Sequence, residues 1–485
     1  MKKLPPNPFS TGSILLGLTF LFSSIPTDGE QPLTLGKHGT QLQLFIDDYV
    51  LENLSGDAKK ILIEPTPREV VLTTDAPWEG NTCAYYTIFR DGNLFRMYYR
   101  GSHQDQKTKK AGHREVTCYA ESRDGINWEK PDLGLFSFNG SKKNNIVWDG
   151  LGSHCFVAFR DTNPNCAKEA KYKGIGAAYP PKRKLGLYAF QSPDGKNWKQ
   201  IRKDPVVSQF HWAYDSQNVA FWDNNANLYR EYHRVYHQEK RAIMTSTSKD
   251  FISWSKPKLL RYQEGIPPQH LYTNAVQPYA RDRSLLIGFP TRYLPDQESR
   301  VEPILMASRD GLSFYRWQEP VIPESAPKDR KGNRSNYMAW GMVELPDRPK
   351  HFSVYATEAY KTGMDSRLRR FEYRKDGFVC VRGGSESGQI VTKPFKLGNL
   401  AERLTLNFKT LKGGYLLVGL ESMDGKKIKG HEIESCKALE GDSLSKTVTW
   451  KKGSDISYLD GKNLRLRIEL KNAELYSFQF QPWLR

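Results

Sequence analysis

The chain has 485 residues, with 72 Lys and Arg against 54 Asp and Glu, a formal charge of +18, and 12% aromatic residues. That aromatic content excludes a disordered chain, and the lack of Gly-X-Y runs, heptads or a long apolar stretch excludes collagen, coiled coil and a membrane-spanning helix. The charge points to an anionic partner, leaving nucleic acid, an acidic membrane surface and an acidic polysaccharide to be separated.

At the N-terminus, Met1-Lys2-Lys3 precedes an apolar run over 14–22 and a small, polar segment over 23–29. This pattern predicts an export signal over 1–28 and a periplasmic or extracellular protein. Next comes Leu44-Phe-Ile-Asp-Asp-Tyr49. Adjacent strand residues face opposite ways, so at most one of Asp47 and Asp48 can point at a site. The expectation is a closing strand with one buried, hydrogen-bonded Asp; the other reading is an additional catalytic or cation-binding acid. The six cysteines form no C-x-x-C pair or metal-finger spacing. Cys155 and Cys166 could be bridged, or all six could be core thiols. No metal or cofactor is expected.

One pattern then organises the chain: Ser122-Arg-Asp-Gly-Ile-Asn-Trp128, Ser192-Pro-Asp-Gly-Lys-Asn-Trp198, Ser248-Lys-Asp-Phe-Ile-Ser-Trp254 and Ser308-Arg-Asp-Gly-Leu-Ser-Phe314, with a worn copy at Arg374-Lys-Asp-Gly-Phe-Val-Cys380. Repeats of this length with alternating aromatic strands predict propeller blades. In each copy Ser and Asp bond the local backbone, Gly takes a positive φ, and the aromatic packs between sheets. Two alternating runs precede each copy, as in 81–89 and 94–99 or 218–222 and 228–232. The repeat stops near 388, where clean alternation at 404–409, 415–420 and 464–470 predicts a β-sandwich. The expected fold is all-β: a five-bladed β-propeller over 29–387 followed by a β-sandwich over 388–485.

Strand direction sorts the residues. Those just before strand one and just after strand two of each blade share one rim around a central channel. They include Glu79, Asp215 and Glu358 as candidate catalytic carboxylates. Trp78, Arg100, His103, His154, Gln217, Arg234, Tyr272, Asn274, Arg292, Trp340 and Tyr360 are candidate substrate contacts. Carboxylates on one funnel suit glycosidic bond cleavage, which needs an acid and a base or nucleophile. Aromatics offer stacking faces for sugar rings, and arginines bind carboxylate or sulfate in a bidentate way. A rim ion pair, such as Glu79 with Arg100, is the competing reading of each residue. The loop over 101–114 and Arg367, Arg369 and Arg370 would extend a basic wall.

The segment 44–49, Pro77-Trp-Glu-Gly80, the Ser-Arg-Asp-Gly-x-x-Trp turns and Tyr214-Asp-Ser-Gln-Asn218 resemble exported bacterial proteins related to glycoside hydrolase family 32. These belong to the five-bladed propeller group that also holds families 43, 68 and 130. The resemblance covers roughly 40–380, and the C-terminal segment is similar to the β-sandwich that often follows such propellers. It implies an acidic site at the starts of first strands, where Glu79 and Asp215 stand. The Trp-x-Asn-Asp-Pro, Arg-Asp-Pro and Glu-Cys motifs of family 32 are absent as such, so fructosidase activity is not implied. The expected function is an exported glycosidase acting on an anionic, uronic or sulfated glycan. The alternatives are a non-catalytic carbohydrate-binding propeller and a glycoside phosphorylase. No reading helix, finger or stacking motif supports nucleic-acid binding.

Overall fold

The computed structural model describes residues 32–35, 42–179, 184–208, 213–323, 336–398 and 401–483. The expected export signal lies outside them. The described residues are almost all strand and turn, arranged as a propeller-like ring of successive antiparallel sheets joined to a ten-stranded C-terminal sheet. None of their helices is long and apolar enough to cross a membrane.

The first sheet runs Ala84–Asp91, Leu94–Gly101, Val116–Ser122 and Ile146–Asp149. The second runs Val157–Arg160, Tyr172–Ala178, Gly186–Ser192 and Lys199–Gln200. The third runs Val219–Asp223, Leu228–His237, Lys240–Ser248 and Lys258–Leu259. In the fourth, Gln277–Tyr279, Asp282–Gly288, Arg300–Ser308 and Ser313–Pro320 pair in turn, and His270–Leu271 joins through Thr291–Leu294. In the fifth, His351–Glu358 pairs with Arg367–Arg374, which pairs with the early strand Thr66–Thr73. That early strand helps to close the ring.

The repeated motif forms the same turn in the first four sheets. The Ser hydroxyl accepts the N–H of the third residue after it at 2.9 Å in every copy. One Asp oxygen accepts the next two backbone N–H groups at 2.7–2.8 Å. Burial raises these carboxyls, but the N–H donors outweigh it and hold Asp124, Asp194 and Asp250 at about 2. The residue after Asp has φ of 74°, 77° and 77° at Gly125, Gly195 and Gly311. Phe251, at φ 67°, carries the same strained backbone without being glycine.

A tyrosine from the preceding sheet reaches each glycine carbonyl. Tyr98 donates to Gly195, Tyr232 to Gly311, and Tyr355 to Gly125, at 2.7–2.8 Å. The last of these ties the fifth sheet back to the first. The same tyrosines meet the motif aromatics edge-on: Tyr98 with Trp198, Tyr232 with Phe314, Tyr355 with Trp128. The worn fifth copy departs from the pattern. Its Asp376 accepts Tyr279 and Arg281 of the fourth sheet instead of capping its own turn.

Around the ring axis, residues on or beside the inner strands of different sheets touch each other. Trp340 exchanges backbone hydrogen bonds with Tyr86 and Ile88. Its indole donates to Val276 O at 2.7 Å, while the Gln217 amide donates to Tyr86 O at 2.8 Å. A Cβ on Gly341 would fall 1.8 Å from Ile88 O, so only glycine allows this approach.

The C-terminal region is one hydrogen-bonded network built on Arg403–Ser422 and Asn463–Gln481, which pair along most of their lengths. It is wider than the sequence suggested. Leu33–Thr34, Leu42–Leu44, Leu51–Gly56 and Lys59–Leu62 from the start of the chain belong to it. All six cysteines are free, so Cys155 and Cys166 are not bridged.

Candidate functional site

Asp215 lies just before the first strand of the third sheet, and 54% of its side chain is exposed. His154, on the single turn Ser153–Cys155 leading into the second sheet, donates from Nε2 to Asp215 Oδ1 at 3.1 Å. Its Nδ1 faces Glu115 Oε2 at 2.8 Å, with Glu115 standing just before Val116–Ser122. One imidazole therefore bridges two carboxylates from different sheets. Arg234 Nη2 holds the second Asp215 oxygen at 3.1 Å, and Arg100 Nη1 lies 3.7 Å from Glu115 Oε1.

Arg100 is buried over the Tyr85 ring, and its Nη2 donates to Thr82 O at 2.8 Å and to the Tyr360 hydroxyl at 3.1 Å. Tyr360 packs on Tyr337 and Tyr337 on Tyr272, and Arg234 lies over Tyr272. The first, second, third, fourth and fifth sheets thus each contribute a side chain to this site.

Its backbone is strained. Tyr85, Tyr214, Ala275, Ala359 and Lys361 all have positive φ, between 43° and 71°. Each flanks a site residue or an inner strand. Left-handed backbone in non-glycine residues costs about 1–3 kcal/mol each and persists where surrounding contacts over-determine it, commonly at functional sites.

The charges are set by the pairing. Burial and the Arg100 guanidinium both disfavour the His154 imidazolium, but its bonds to Asp215 and Glu115 outweigh them and raise its pKa. Burial raises Asp215, yet His154 and Arg234 bring it below the ordinary carboxylate value. Glu115 is lowered in the same way by His154 and Arg100, against burial. The pairing favours two carboxylates around one protonated imidazole.

The other residues expected on the rim are placed differently. Glu79 is fully buried, accepting Tyr99 OH at 2.5 Å, Lys130 Nζ at 2.7 Å and the Ala76 N–H at 3.0 Å. Its cation is Lys130, not Arg100. Glu358 is also fully buried, paired with Arg369 at 2.6 Å and Arg367 at 3.0 Å. These two carboxylates do not join Asp215. Trp78 donates to Asn145 at 2.6 Å, Asn274 to the Gln217 and Tyr232 carbonyls, and Arg292 to Glu302 and Gln318 O. Trp340 and Gln217 hold the axis, and the His103 ring packs against Gly80 and Gly112. Asp47 pairs with Arg309 at 3.0 Å and exposed Asp48 with Lys60 at 2.6 Å. Arg309 sits in a motif turn, on the opposite end of the strands from the site. Among the described residues no group of three or more His, Cys, Asp or Glu is arranged to hold a metal ion.

Glu115 was not among the sequence candidates. It closes the basic loop 101–114, and the one available signal was its place at the start of a third strand on the same face.

No family model matches the chain. Two uncharacterised proteins of Mycobacterium tuberculosis are 29% and 28% identical to it over 144 residues, which span 28% of this chain and 40% of theirs. Among solved structures, a glycoside hydrolase is 14% identical at TM-score 0.44, covering 64% of this chain and 92% of that one. A thermostable family-43 glycoside hydrolase is 15% identical at 0.44, covering 66% and 96%. The β-1,2-mannobiose phosphorylase of Listeria innocua is 8% identical at 0.43, covering 67% and 97%. Likenesses this distant leave the chemistry to be read from the site itself.

Proposed function

We propose that this protein is an exported enzyme that hydrolyses glycosidic bonds of an anionic, uronic or sulfated glycan, with Asp215 as general base and Glu115 as general acid. The observation that carries this reading is the imidazole bridge. Asp215 is exposed and ionised, so it can take a proton from water. His154 holds the proton in the resting state and passes it to Glu115 as the leaving oxygen takes one from that carboxyl. Water's hydroxide bonds to the anomeric carbon, the bond to the leaving oxygen breaks, and Asp215 keeps the other proton. Asp215 then gives that proton to solvent water, and the vacant Nδ1 of His154 takes one back from solvent, so the net change is one water added across the glycosidic bond.

The His154 imidazole lies between the two carboxyls, so the first-formed anomer, and not their separation, assigns inversion or retention. The anionic substrate is supported by the charge balance: Arg100, Arg234 and the His154 imidazolium surround two carboxylates, on a chain of charge +18. The competing reading is a non-catalytic carbohydrate-binding ring, favoured by Glu79 and Glu358 being bound up in buried ion pairs.

The test is a screen of neutral, uronic and sulfated polysaccharides with reducing-end detection, followed by NMR of the first-formed anomer. On the glycan that is cleaved, Asp215→Asn and Glu115→Gln should each lower kcat at least 100-fold, and the first-formed anomer assigns inversion or retention. Tight glycan binding with no released sugar would select the binding ring instead.

A further inference from the structure

A row of rings leads away from the candidate site along the third and fourth sheets. Tyr360, Tyr337, Tyr272, Tyr293, His270 and Tyr236 follow one another at centroid separations of 5.3, 5.7, 6.3, 5.8 and 6.4 Å. The row begins at the ring whose hydroxyl binds Arg100 and ends at Tyr236, which is 45% exposed. Large exposed aromatics are uncommon on a strand face whose neighbours are packed, and here the exposed ring continues a line that starts at the reacting centre.

Arg241 lies inside this row. It is the cross-strand partner of Tyr236, and its guanidinium sits 4.7 Å from the Tyr293 centroid and 5.1 Å from that of Tyr272. Its Nε is buried without a hydrogen-bond partner, and among the described residues it has no carboxylate at ion-pair distance. Arg234, on the same strand pair and over the same Tyr272 ring, has Asp215 as its counterion. Arg241 has none. Cations partly removed from water are ordinarily paired, so an unpaired guanidinium held by two tyrosines is prepared for an anion that arrives from outside.

His270 completes the donor set. Its Nδ1 accepts the Arg241 backbone N–H at 3.2 Å, which leaves the proton of the neutral ring on Nε2 as a donor. Burial, Arg241 and Lys240 all push the His270 pKa below its ordinary value, which favours the neutral ring.

We infer that Arg241, with His270, Tyr293 and Tyr236, forms a distal subsite for the oxyanion substituent, carboxylate or sulfate ester, of a sugar unit beyond the one that is cleaved. The inference rests on the proposed glycan-cleaving reading and deepens it. It makes the substrate a polymer lying along the third and fourth sheets, with at least one charged unit away from the scissile bond. The guanidinium fork would take two oxygens, and the rings would carry the apolar faces of the sugar.

The experiment uses the full chain with oligosaccharides of graded length from polygalacturonate and from carrageenan, beside neutral oligosaccharides of matching length. Arg241→Ala and Tyr236→Ala are measured for KM and kcat, and for binding in the Asp215→Asn background. His270 is followed by NMR titration in the otherwise unaltered protein. The expected result is a KM or Kd at least ten-fold higher in Arg241→Ala for the longer charged oligosaccharides of one of the two series. Its kcat should stay within two-fold, the shortest cleaved oligosaccharide should be unaffected, and the His270 pKa should rise on binding. The series that responds identifies the substituent as carboxylate or sulfate. Tyr236→Ala, on the surface, repeats the length dependence without disturbing the packed rings. Equal affinity of Arg241→Ala and the unaltered protein for every charged oligosaccharide that binds, or a loss as large for the neutral series, would overturn the subsite. Arg241-dependent binding without turnover would keep the subsite and remove the hydrolase reading, so the two failures are distinct.

Discussion

At the residue scale, His154 decides whether the site works as a relay. Its two carboxylate partners overcome burial and the nearby Arg100 charge, so its imidazolium persists above the ordinary value of about 6.5. A relay that must hold a proton at rest is active below that raised value and fails as pH rises through it. Asp215 works in the opposite sense: its depressed pKa keeps it ionised below the ordinary carboxylate value of about 3.9, so acid inactivation through it comes late. The expected kcat/KM profile is therefore a broad bell with an alkaline limb above about pH 6.5. His154→Gln keeps a hydrogen-bonding amide but cannot carry the proton, and should lose about 10²–10⁴ in rate together with that limb. A variant that retains the alkaline limb would assign it to another group and remove the relay. Glu79 and Glu358 illustrate what sequence reading could not reach here. Their position on a strand end was legible, but the partners that turn them into buried structural ions were not. Lys130 is 51 residues from Glu79, and Arg367 and Arg369 meet Glu358 only through strand pairing. Asp215, His154, Arg100 and Arg234 were legible because each adjoins a strand end that the repeat locates, and the structure brings these four together.

At the scale of the element, the motif turn is a device for joining neighbouring sheets as much as for reversing a chain. Its Ser and Asp satisfy the turn from within, and at Gly125 and Gly195 the glycine carbonyl accepts both the motif's own indole N–H and a tyrosine of the sheet before. Tyr98→Phe removes one of two donors to the Gly195 carbonyl, which keeps the Trp198 indole N–H at 3.1 Å, at a cost of about 0.5–1.5 kcal/mol. The urea midpoint should fall while the denaturant slope stays constant, since no surface is newly exposed in the native state. An unchanged midpoint would show that the edge-on contact of Tyr98 with Trp198 supplies all the adhesion. The junction between the second and third sheets shows the alternative: Phe159 and Phe251 meet at 5.6 Å where the others use a hydroxyl. The turns themselves were visible in sequence because their signal is local, a Ser, an Asp and an aromatic at fixed spacing. The tyrosines were read only as strand residues, since nothing local says which turn they reach.

At the scale of the whole molecule, ring and C-terminal sheet share one core. A single apolar cluster includes Ala275, Tyr279, Phe289, Phe371 and Tyr373 of the ring together with Leu404, Leu466 and Phe478 of the C-terminal sheet. Polar contacts cross the same boundary: Arg374 donates to Asn407 Oδ1 at 2.7 Å and Asp442 Oδ1 at 2.6 Å, and Trp317 to Ile46 O at 2.9 Å. The chain also threads the boundary twice, because the strands over 33–62 pair in the C-terminal sheet before Thr66–Thr73 enters the ring. Sequence reading saw a change of pattern near 388 but could not see this early crossing, which no composition shift marks. Chains of several hundred residues often unfold in stages, domain by domain. Here separation of the two parts would expose the common cluster at a cost of about 25 cal/mol per Å² of apolar surface. Unfolding should therefore be a single transition, with tryptophan fluorescence, which reports Trp450 in one part and Trp128, Trp198 and Trp340 in the other, coinciding with far-ultraviolet dichroism in urea. A chain ending at residue 387 should lose cooperative folding outright instead of yielding a stable ring. Two resolved transitions, or a folded ring after that truncation, would mean the shared cluster contributes less than the contacts inside each part.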